Sequence, residues 1–165
     1  MKKIAIVMGS DSDLNILQDA VDQLDLLSIP YEVRVLSAHR TPQAVAAFAC
    51  NAKENGFGVI IAAAGKAAHL AGAMAANTLL PVIGVPVKAS ALEGLDALLS
   101  TVQMPAGIPV ATVAIDGAKN AALLAAQILA VEDDGLFIKL QAQREDMTQE
   151  AAKKDIRIRE RYAKG

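Results

Sequence analysis

The chain has 165 residues, of which 53% are hydrophobic, 21% charged and 3% aromatic, with a formal net charge of -2. This length suits one compact domain, and the weak acidic charge excludes the broad basic surface that nucleic-acid binding requires. No apolar run reaches the roughly 18 residues of a membrane span, and the N-terminal run is too short for a signal peptide. A mean hydropathy of +0.34 is high for a monomer, so we expect subunits to bury apolar surface against one another.

The single cysteine, Cys50, lies in an alanine-rich stretch that is typical of a helix. One cysteine cannot form an internal disulfide, which is typical of a protein in a reducing compartment. No candidate base lies near it in the sequence, so we expect a small buried residue rather than a nucleophile. These features together predict a cytoplasmic protein.

Strands and helices are predicted to alternate from the N-terminus. The apolar run 4–8 ends at Gly9 and precedes a helix. The predicted buried face of that helix consists of Leu14, Leu17, Val21 and Leu24. A second strand, 31–36, is followed by a helix that begins at Thr41-Pro42 and extends to about Asn55.

The same strand-helix unit then recurs three times. The predicted strands are 59–64, 82–85 and 110–115, and the helices that follow them are 69–77, 92–100 and 119–131. Because alternating strands and helices form parallel sheets with right-handed crossovers, we predict an α/β fold. Its architecture is a three-layer, flavodoxin-like or Rossmann-like parallel sheet with helices on both faces.

Charged residues become dense in the helix-forming segment that starts at Gly135. We therefore divide one predicted domain, residues 1–165, into an α/β core (1–131) and a C-terminal helical arm (135–165). The arm is either a solvated helix or a helix that packs one side on a neighbouring subunit. That side carries Leu136, Leu140, Ile156 and Ile158.

Ligands of open parallel sheets bind outside the carboxyl ends of the strands, so the loops after the strands are the candidate sites. After the first strand, Gly9, Ser10 and Ser12 offer backbone and hydroxyl donors to a phosphate at a helix N-terminus. Asp13 would repel a phosphate but accepts hydrogen bonds from ribose hydroxyls. A phosphoribosyl group satisfies both demands, whereas the alternative is that these residues only cap the helix.

The two histidines of the chain fall in the next two loops. Ser37, His39 and Arg40 follow the second strand, where Arg40 suits a phosphate or carboxylate and His39 is a candidate proton carrier. Gly65, Ala67 and His69 follow the third strand, in a stretch of small residues that permits close backbone approach.

Several other site types do not fit these loops. The first loop lacks the G-x-G-x-x-G pattern of a dinucleotide site, and the chain has no Walker A motif. The third strand ends in alanines where a receiver domain has its phosphorylated aspartate. Two well-separated histidines and one acidic loop are too few ligands for a metal centre, so we expect no metal and no cofactor.

Six segments in register, MGSDSD, SAHRTP, AAHL, PVIGVPV, LDALLSTVQMPAGIPVATVAI and NAALLA, resemble class I N5-carboxyaminoimidazole ribonucleotide mutase. The resemblance covers about residues 3–130. It implies a flavodoxin-like subunit of a homo-octamer, with active sites at subunit junctions and the last helix on a neighbour. It also implies a small ribonucleotide substrate from purine synthesis, no cofactor, and functional coupling to the ATP-dependent synthetase that makes the substrate.

By this resemblance, Ser10, Asp13 and Arg40 bind the substrate, with Asp13 on the ribose and the other two at the phosphate. His39 is the catalytic acid and base, and His69 belongs to the loop that covers the imidazole ring. A class II carboxylase that uses free carbon dioxide is the nearest alternative, but it typically has lysine at the position of Arg40 and lacks the histidine at position 69. A second alternative is a sensor of phosphoribosyl ligands without catalytic activity.

The third loop departs from the family pattern. Lys66 stands where glycine is common, and Ala71 stands where proline is usual. The alanine is expected to loosen the turn. Lys66 either holds the substrate carboxylate or points to solvent. Asp116, after the fifth strand, is another departure.

Overall fold

The structure is a computed structural model that describes residues 1–163. Its centre is a five-stranded, entirely parallel sheet with the order β2-β1-β3-β4-β5. The strands are β1 Lys3–Met8, β2 Tyr31–Val35, β3 Phe57–Gly65, β4 Val82–Val87 and β5 Ala111–Thr112. This order confirms the predicted flavodoxin-like α/β fold, and it places the end of every strand at the same edge.

Helices cover both faces of the sheet and form the outer layers. They are α1 Leu14–Leu27, α2 Pro42–Asn51, α3 Leu70–Ala75, α4 Leu95–Val102, α5 Ala118–Ala130 and α6 Asp134–Tyr162, with a turn of 3-10 helix at Asp11–Asp13. Alternate residues of each buried strand point to opposite faces. On β1, Ile4 and Ile6 pack beneath α1 and α5, whereas Ala5 and Val7 pack beneath α2 and α3. Two separate cores follow from this alternation.

Alanine dominates the face that α5 buries against the sheet. The fully buried residues of α5 are Ala118, Ala121, Ala122, Ala125 and Ala126. Because a methyl group occupies so little volume, the backbone of α5 can approach the strands closely, in a chain with few aromatic side chains.

Several sequence predictions were wrong in detail. Leu14 begins α1 but is 45% exposed, so it does not belong to the buried face that contains Leu17 and Leu24. Cys50 is exposed, since it follows the buried Ala49 on α2 and is therefore rotated about 100° around the helix from it. α2 ends at Asn51 rather than Asn55, and α4 starts at Leu95, three residues later than predicted.

The fifth strand is also shorter than the predicted 110–115. Only Ala111 and Thr112 pair with β4, and this edge position has no second neighbour among the described residues. Beyond them, Val113 still donates its backbone N–H to the carbonyl of Gly84 at 3.1 Å, and a turn follows. β-propensity alone does not indicate where an edge strand leaves its partner.

The long C-terminal helix α6 is anchored on its own subunit at its start. The Asp133 carboxylate caps it by accepting the N–H of Leu136 at 2.9 Å, and the Leu136 and Leu140 side chains join the core beneath α1 and α5. Lys139 Nζ donates to the carbonyl of Leu27 at 2.8 Å. Leu136 and Leu140, placed by the sequence on a side that is either solvated or packed on a neighbour, are instead buried within the chain.

Beyond Gln143 the character of α6 changes. Gln143 pairs with the buried Gln23 of α1, and every described residue after it is exposed, including Ile156 and Ile158. Among residues 1–163, no helix combines the length and apolar character that crossing a membrane requires.

Candidate functional site

The loops that follow β1 to β4 enclose a cavity of about 470 Å³ at the carboxyl edge of the sheet. It is lined by nine of the ten predicted site residues: Gly9, Ser10, Ser12, Asp13, Ser37, His39, Arg40, Gly65 and Ala67. The tenth, His69, does not line it directly but contacts His39. Parallel strands explain this convergence, because their ends meet at one edge whatever their separation in sequence.

The first loop holds its hydroxyls by a local network. Ser10 caps the 3-10 turn, its Oγ accepting the N–H of Ser12 at 3.3 Å and the Ser12 hydroxyl at 2.9 Å. Ser12 Oγ also lies 3.3 Å from the Asp13 carboxylate. The residues that form this capped turn therefore also line the cavity.

The environment of Asp13 changes the pKa of its carboxyl group. Burial raises the pKa of its carboxyl above the usual value, and hydrogen bonds from the Ser12 hydroxyl and from a backbone N–H oppose that rise. The nearby Asp11 carboxylate raises the pKa of Asp13 further. The carboxylate is thus partly desolvated and placed where a neutral hydroxyl can replace the lost water.

The second loop is fixed by hydrogen bonds between Ser37 and Thr41. Thr41 Oγ1 accepts the N–H of Ser37 at 3.0 Å, and Ser37 Oγ accepts the N–H of Arg40 at 3.2 Å. These bonds close a turn that leaves the His39 and Arg40 side chains exposed at the cavity.

The two histidines contact each other. Nε2 of His39 lies 2.8 Å from Nδ1 of His69, and the ring planes meet at 81°. One of these nitrogens donates and the other accepts, so the contact holds a single proton between the rings. The two histidines therefore form one hydrogen-bonded pair, although the sequence analysis considered them separately.

The third loop combines close packing with an unusual backbone conformation. A Cβ at Gly65 would lie 3.2 Å from the carbonyl oxygen of Val87, a tight contact that glycine avoids. Lys66 follows with a φ of 56°, in the left-handed region that favours glycine. Lys66 is one of the residues that line the cavity.

The loop after β4 adds a functional element that sequence reasoning missed. Lys88 lines the cavity, forms an ion pair with Glu93, and has its backbone N–H bound by the Asp116 carboxylate at 2.8 Å. The ion pair raises the pKa of the Lys88 ammonium. Its position directly after a strand was the available signal, because the rule that selects the first three loops applies equally to the fourth.

The charges that line the cavity favour an anionic ligand. Arg40, Lys66 and Lys88 contribute positive charge, and Asp13 contributes negative charge. Arg40 and Lys66 make no salt bridge within residues 1–163. In the same part of the chain, no three His, Cys, Asp or Glu side chains are grouped as metal ligands would be.

Comparison with known proteins identifies this arrangement. A family model described as AIR carboxylase matches residues 3–150. The chain belongs to the AIR carboxylase family. A family relative from Haemophilus influenzae, named N5-carboxyaminoimidazole ribonucleotide mutase, is 61% identical over 148 residues, which are 88% of this chain and 90% of the relative.

The similarity extends to an archaeal sequence and to a solved structure. A protein of the same name from Pyrococcus abyssi is 57% identical over 147 residues, 89% of this chain and 84% of that one. The crystal structure of PurE from Treponema denticola superposes with a TM-score of 0.81, at 27% identity and with 98% of each chain covered. The similarity in fold therefore extends over nearly the whole chain, including α6.

Proposed function

We propose that this member of the AIR carboxylase family is an N5-carboxyaminoimidazole ribonucleotide mutase. It would convert N5-carboxyaminoimidazole ribonucleotide to 4-carboxy-5-aminoimidazole ribonucleotide in purine synthesis. The observation that carries the proposal is the His39–His69 pair beside a cavity with hydroxyl donors and cations. Relatives that are 57% and 61% identical to this chain over the aligned residues bear the mutase name.

The phosphoribosyl part of the substrate is assigned to the first two loops. The Ser10 hydroxyl and the Arg40 guanidinium bind the phosphate, because both are donors at the cavity wall. Gly9, Ser12 and Ser37 complete that wall, and the Asp13 carboxylate accepts from the ribose hydroxyls. This arrangement leaves the base beside the histidines and the third loop.

The proposed reaction needs one proton carrier. Protonated His39 donates a proton to the exocyclic nitrogen, and the bond between this nitrogen and the carboxyl carbon breaks. Carbon dioxide and aminoimidazole ribonucleotide remain in the site. Carbon 4 then attacks carbon dioxide, and neutral His39 removes the proton from that carbon. An imidazole suits both steps because it can take up and release a proton under physiological conditions.

His69 is assigned to positioning. Because its Nδ1 shares a proton with Nε2 of His39, it fixes the orientation of that ring and the place of the proton that is transferred. Gly65 and Ala67 let the third loop approach the base and exclude water, which keeps carbon dioxide from escaping.

We also propose that the enzyme is a cytoplasmic homo-octamer, coupled functionally to the synthetase that makes its substrate. Support for assembly comes from an apolar groove of about 940 Å³ between α5 and α6. On its rim, Val131 is 83% exposed and Phe137 is 58% exposed, which is unusual for a subunit that stays alone in water.

The catalytic proposal is tested by assaying two nucleotides without bicarbonate: N5-carboxyaminoimidazole ribonucleotide and aminoimidazole ribonucleotide. A mutase converts the N5-carboxylated nucleotide without added bicarbonate, since it needs no external carbon dioxide. Turnover of aminoimidazole ribonucleotide only with bicarbonate would instead indicate a class II carboxylase. Tight binding of the nucleotide without turnover would indicate a sensor.

A further inference from the structure

Backbone strain is concentrated in the loops at the carboxyl edge of the sheet. Within residues 1–163, four residues other than glycine have a positive φ near 55°: Ser28, Lys66, Glu93 and Asp116. Ser28 ends α1, where a left-handed residue is common. The other three lie in loops at the carboxyl edge of the sheet. At each of them the left-handed backbone conformation costs more free energy than it would for glycine.

Two of these strained residues have a visible structural reason. The Asp116 carboxylate binds the backbone N–H of Lys88, and the Glu93 carboxylate pairs with the Lys88 ammonium. Both side chains thereby fix the loop after β4. Glycine would relieve the strain at either position but would lose the contact.

Lys66 has no such reason within the subunit. Its ammonium makes no salt bridge with any residue of 1–163, and Lys66 is one of the residues that line the cavity. A lysine in a glycine conformation at the wall of a ligand cavity points to a ligand group as the missing partner.

We propose that the Lys66 ammonium binds the carboxylate that the enzyme transfers. This assignment rests on the proposed function, in which the substrate carries two anionic groups. Three cations line the cavity, and two of them, Arg40 and Lys66, form no salt bridge in the described chain. Arg40 belongs to the loop beside the phosphate position, whereas Lys66 lies three residues before His69, beside the reacting base.

A comparison of two ligands distinguishes binding of the carboxylate by Lys66 from general electrostatic attraction. Aminoimidazole ribonucleotide and its 4-carboxylated form share the phosphate and ribose but differ in the carboxylate. Lys66→Gly removes the cation and the strain, and Lys66→Met removes the cation but keeps the strain. Both variants should lose roughly tenfold in affinity for the carboxylated nucleotide, and less than about twofold for the other.

Unfolding temperature supplies an independent readout. Lys66→Gly should unfold at the same or a higher temperature than the parent, because the left-handed conformation suits glycine. Lys53→Met is the matched control for charge, since Lys53 is exposed in the turn before β3, at the opposite edge of the sheet. It should change neither affinity.

Equal weakening of both nucleotides would overturn the assignment, because it would place Lys66 at the shared phosphate or in the long-range field. Unchanged affinity for the carboxylated nucleotide would overturn it as well. If both nucleotides bind and Lys66 discriminates between them, but the parent catalyses no transfer, the role of Lys66 stands and the mutase function fails.

Discussion

Nε2 of His39 lies 2.8 Å from Nδ1 of His69, although the two residues are thirty positions apart in the chain. Each belongs to a different loop at the sheet edge, and the contact unites the loops after β2 and β3. Because the two nitrogens share one proton, a change at either histidine alters the proton available at the other.

His39→Asn should retain nucleotide binding while kcat falls by roughly two to four orders of magnitude, the usual contribution of a positioned acid-base group. Asparagine has a donor and an acceptor but cannot shuttle a proton near neutral pH. His69→Asn should reduce kcat less, because it disturbs only the position of His39. The measurement is exchange of the carbon 4 proton of bound aminoimidazole ribonucleotide with deuterium. If His39→Asn exchanges this proton as fast as the parent and His69→Asn does not, the roles are reversed.

Arg40→Ala should weaken nucleotide binding by about 1.5–3 kcal/mol, the contribution of a hydrogen bond to a charged group. Arg40→Lys keeps the charge but loses the planar pair of donors, so its loss should be intermediate. Calorimetric titration with a phosphate-bearing nucleotide and with its nucleoside checks the assignment. The nucleoside should bind both variants and the parent alike, and a variant effect that persists without the phosphate would exclude Arg40 from that site.

Asp13→Asn should make the subunit more stable at neutral pH and less able to bind substrate. Burial raises the pKa of Asp13 in the folded state, so the folded protein binds more protons than the unfolded chain between the two pKa values. Stability therefore falls as pH rises through this window, and the ionised carboxylate is destabilising above it. The advantage of Asp13→Asn should disappear below the usual pKa of an aspartate. Thermal unfolding of parent and variant across this range gives the comparison, and an advantage that is independent of pH would contradict it.

Gly84→Ala should destabilise the subunit by about 1–3 kcal/mol, the usual effect of overpacking. An added Cβ would clash with the Thr101 methyl group and meet Val110 at 3.1 Å, because α4 packs directly over β4. Chemical denaturation measures the loss. Gly107→Ala is a useful contrast, since nothing lies within 4 Å of its Cβ and only its positive φ opposes the change.

Removal of residues 146–165 should reduce the mass of the assembled particle while the subunit remains folded. The deletion spares Leu136, Leu140 and the Gln23–Gln143 pair, so the core contacts of α6 are kept. Sedimentation gives the mass, and circular dichroism checks the fold. A full-length chain that sediments as an active monomer would contradict the proposed octamer.

The sequence was sufficient to predict the sheet and the edge that carries the site. Hydrophobic periodicity marks the strands, and the rule for parallel sheets then brings Gly9, Arg40 and Gly65 to one cavity. Pairing of His39 with His69 was not predictable, because it depends on the exact turns that follow two strands.

Side-chain direction was the other limit of the sequence. Cys50 and Leu14 occupy apolar stretches, yet both are exposed, since the neighbouring helical positions already face the core. Leu136 and Leu140 resemble an interface stripe, yet they are buried in the core that α1 and α5 form on the sheet. Which neighbour an apolar face meets depends on the path of the chain, which composition does not determine.

The alanine face of α5 has a consequence for the entropy of folding. A buried leucine or isoleucine loses about 0.5–1 kcal/mol of rotamer freedom, whereas a buried alanine loses none. The fully buried residues of α5 therefore pack on the sheet without a side-chain entropy penalty; they are Ala118, Ala121, Ala122, Ala125 and Ala126. A larger aliphatic residue at any of these positions would destabilise the fold for two reasons. It would overpack the space between α5 and the sheet, and it would lose side-chain entropy on burial.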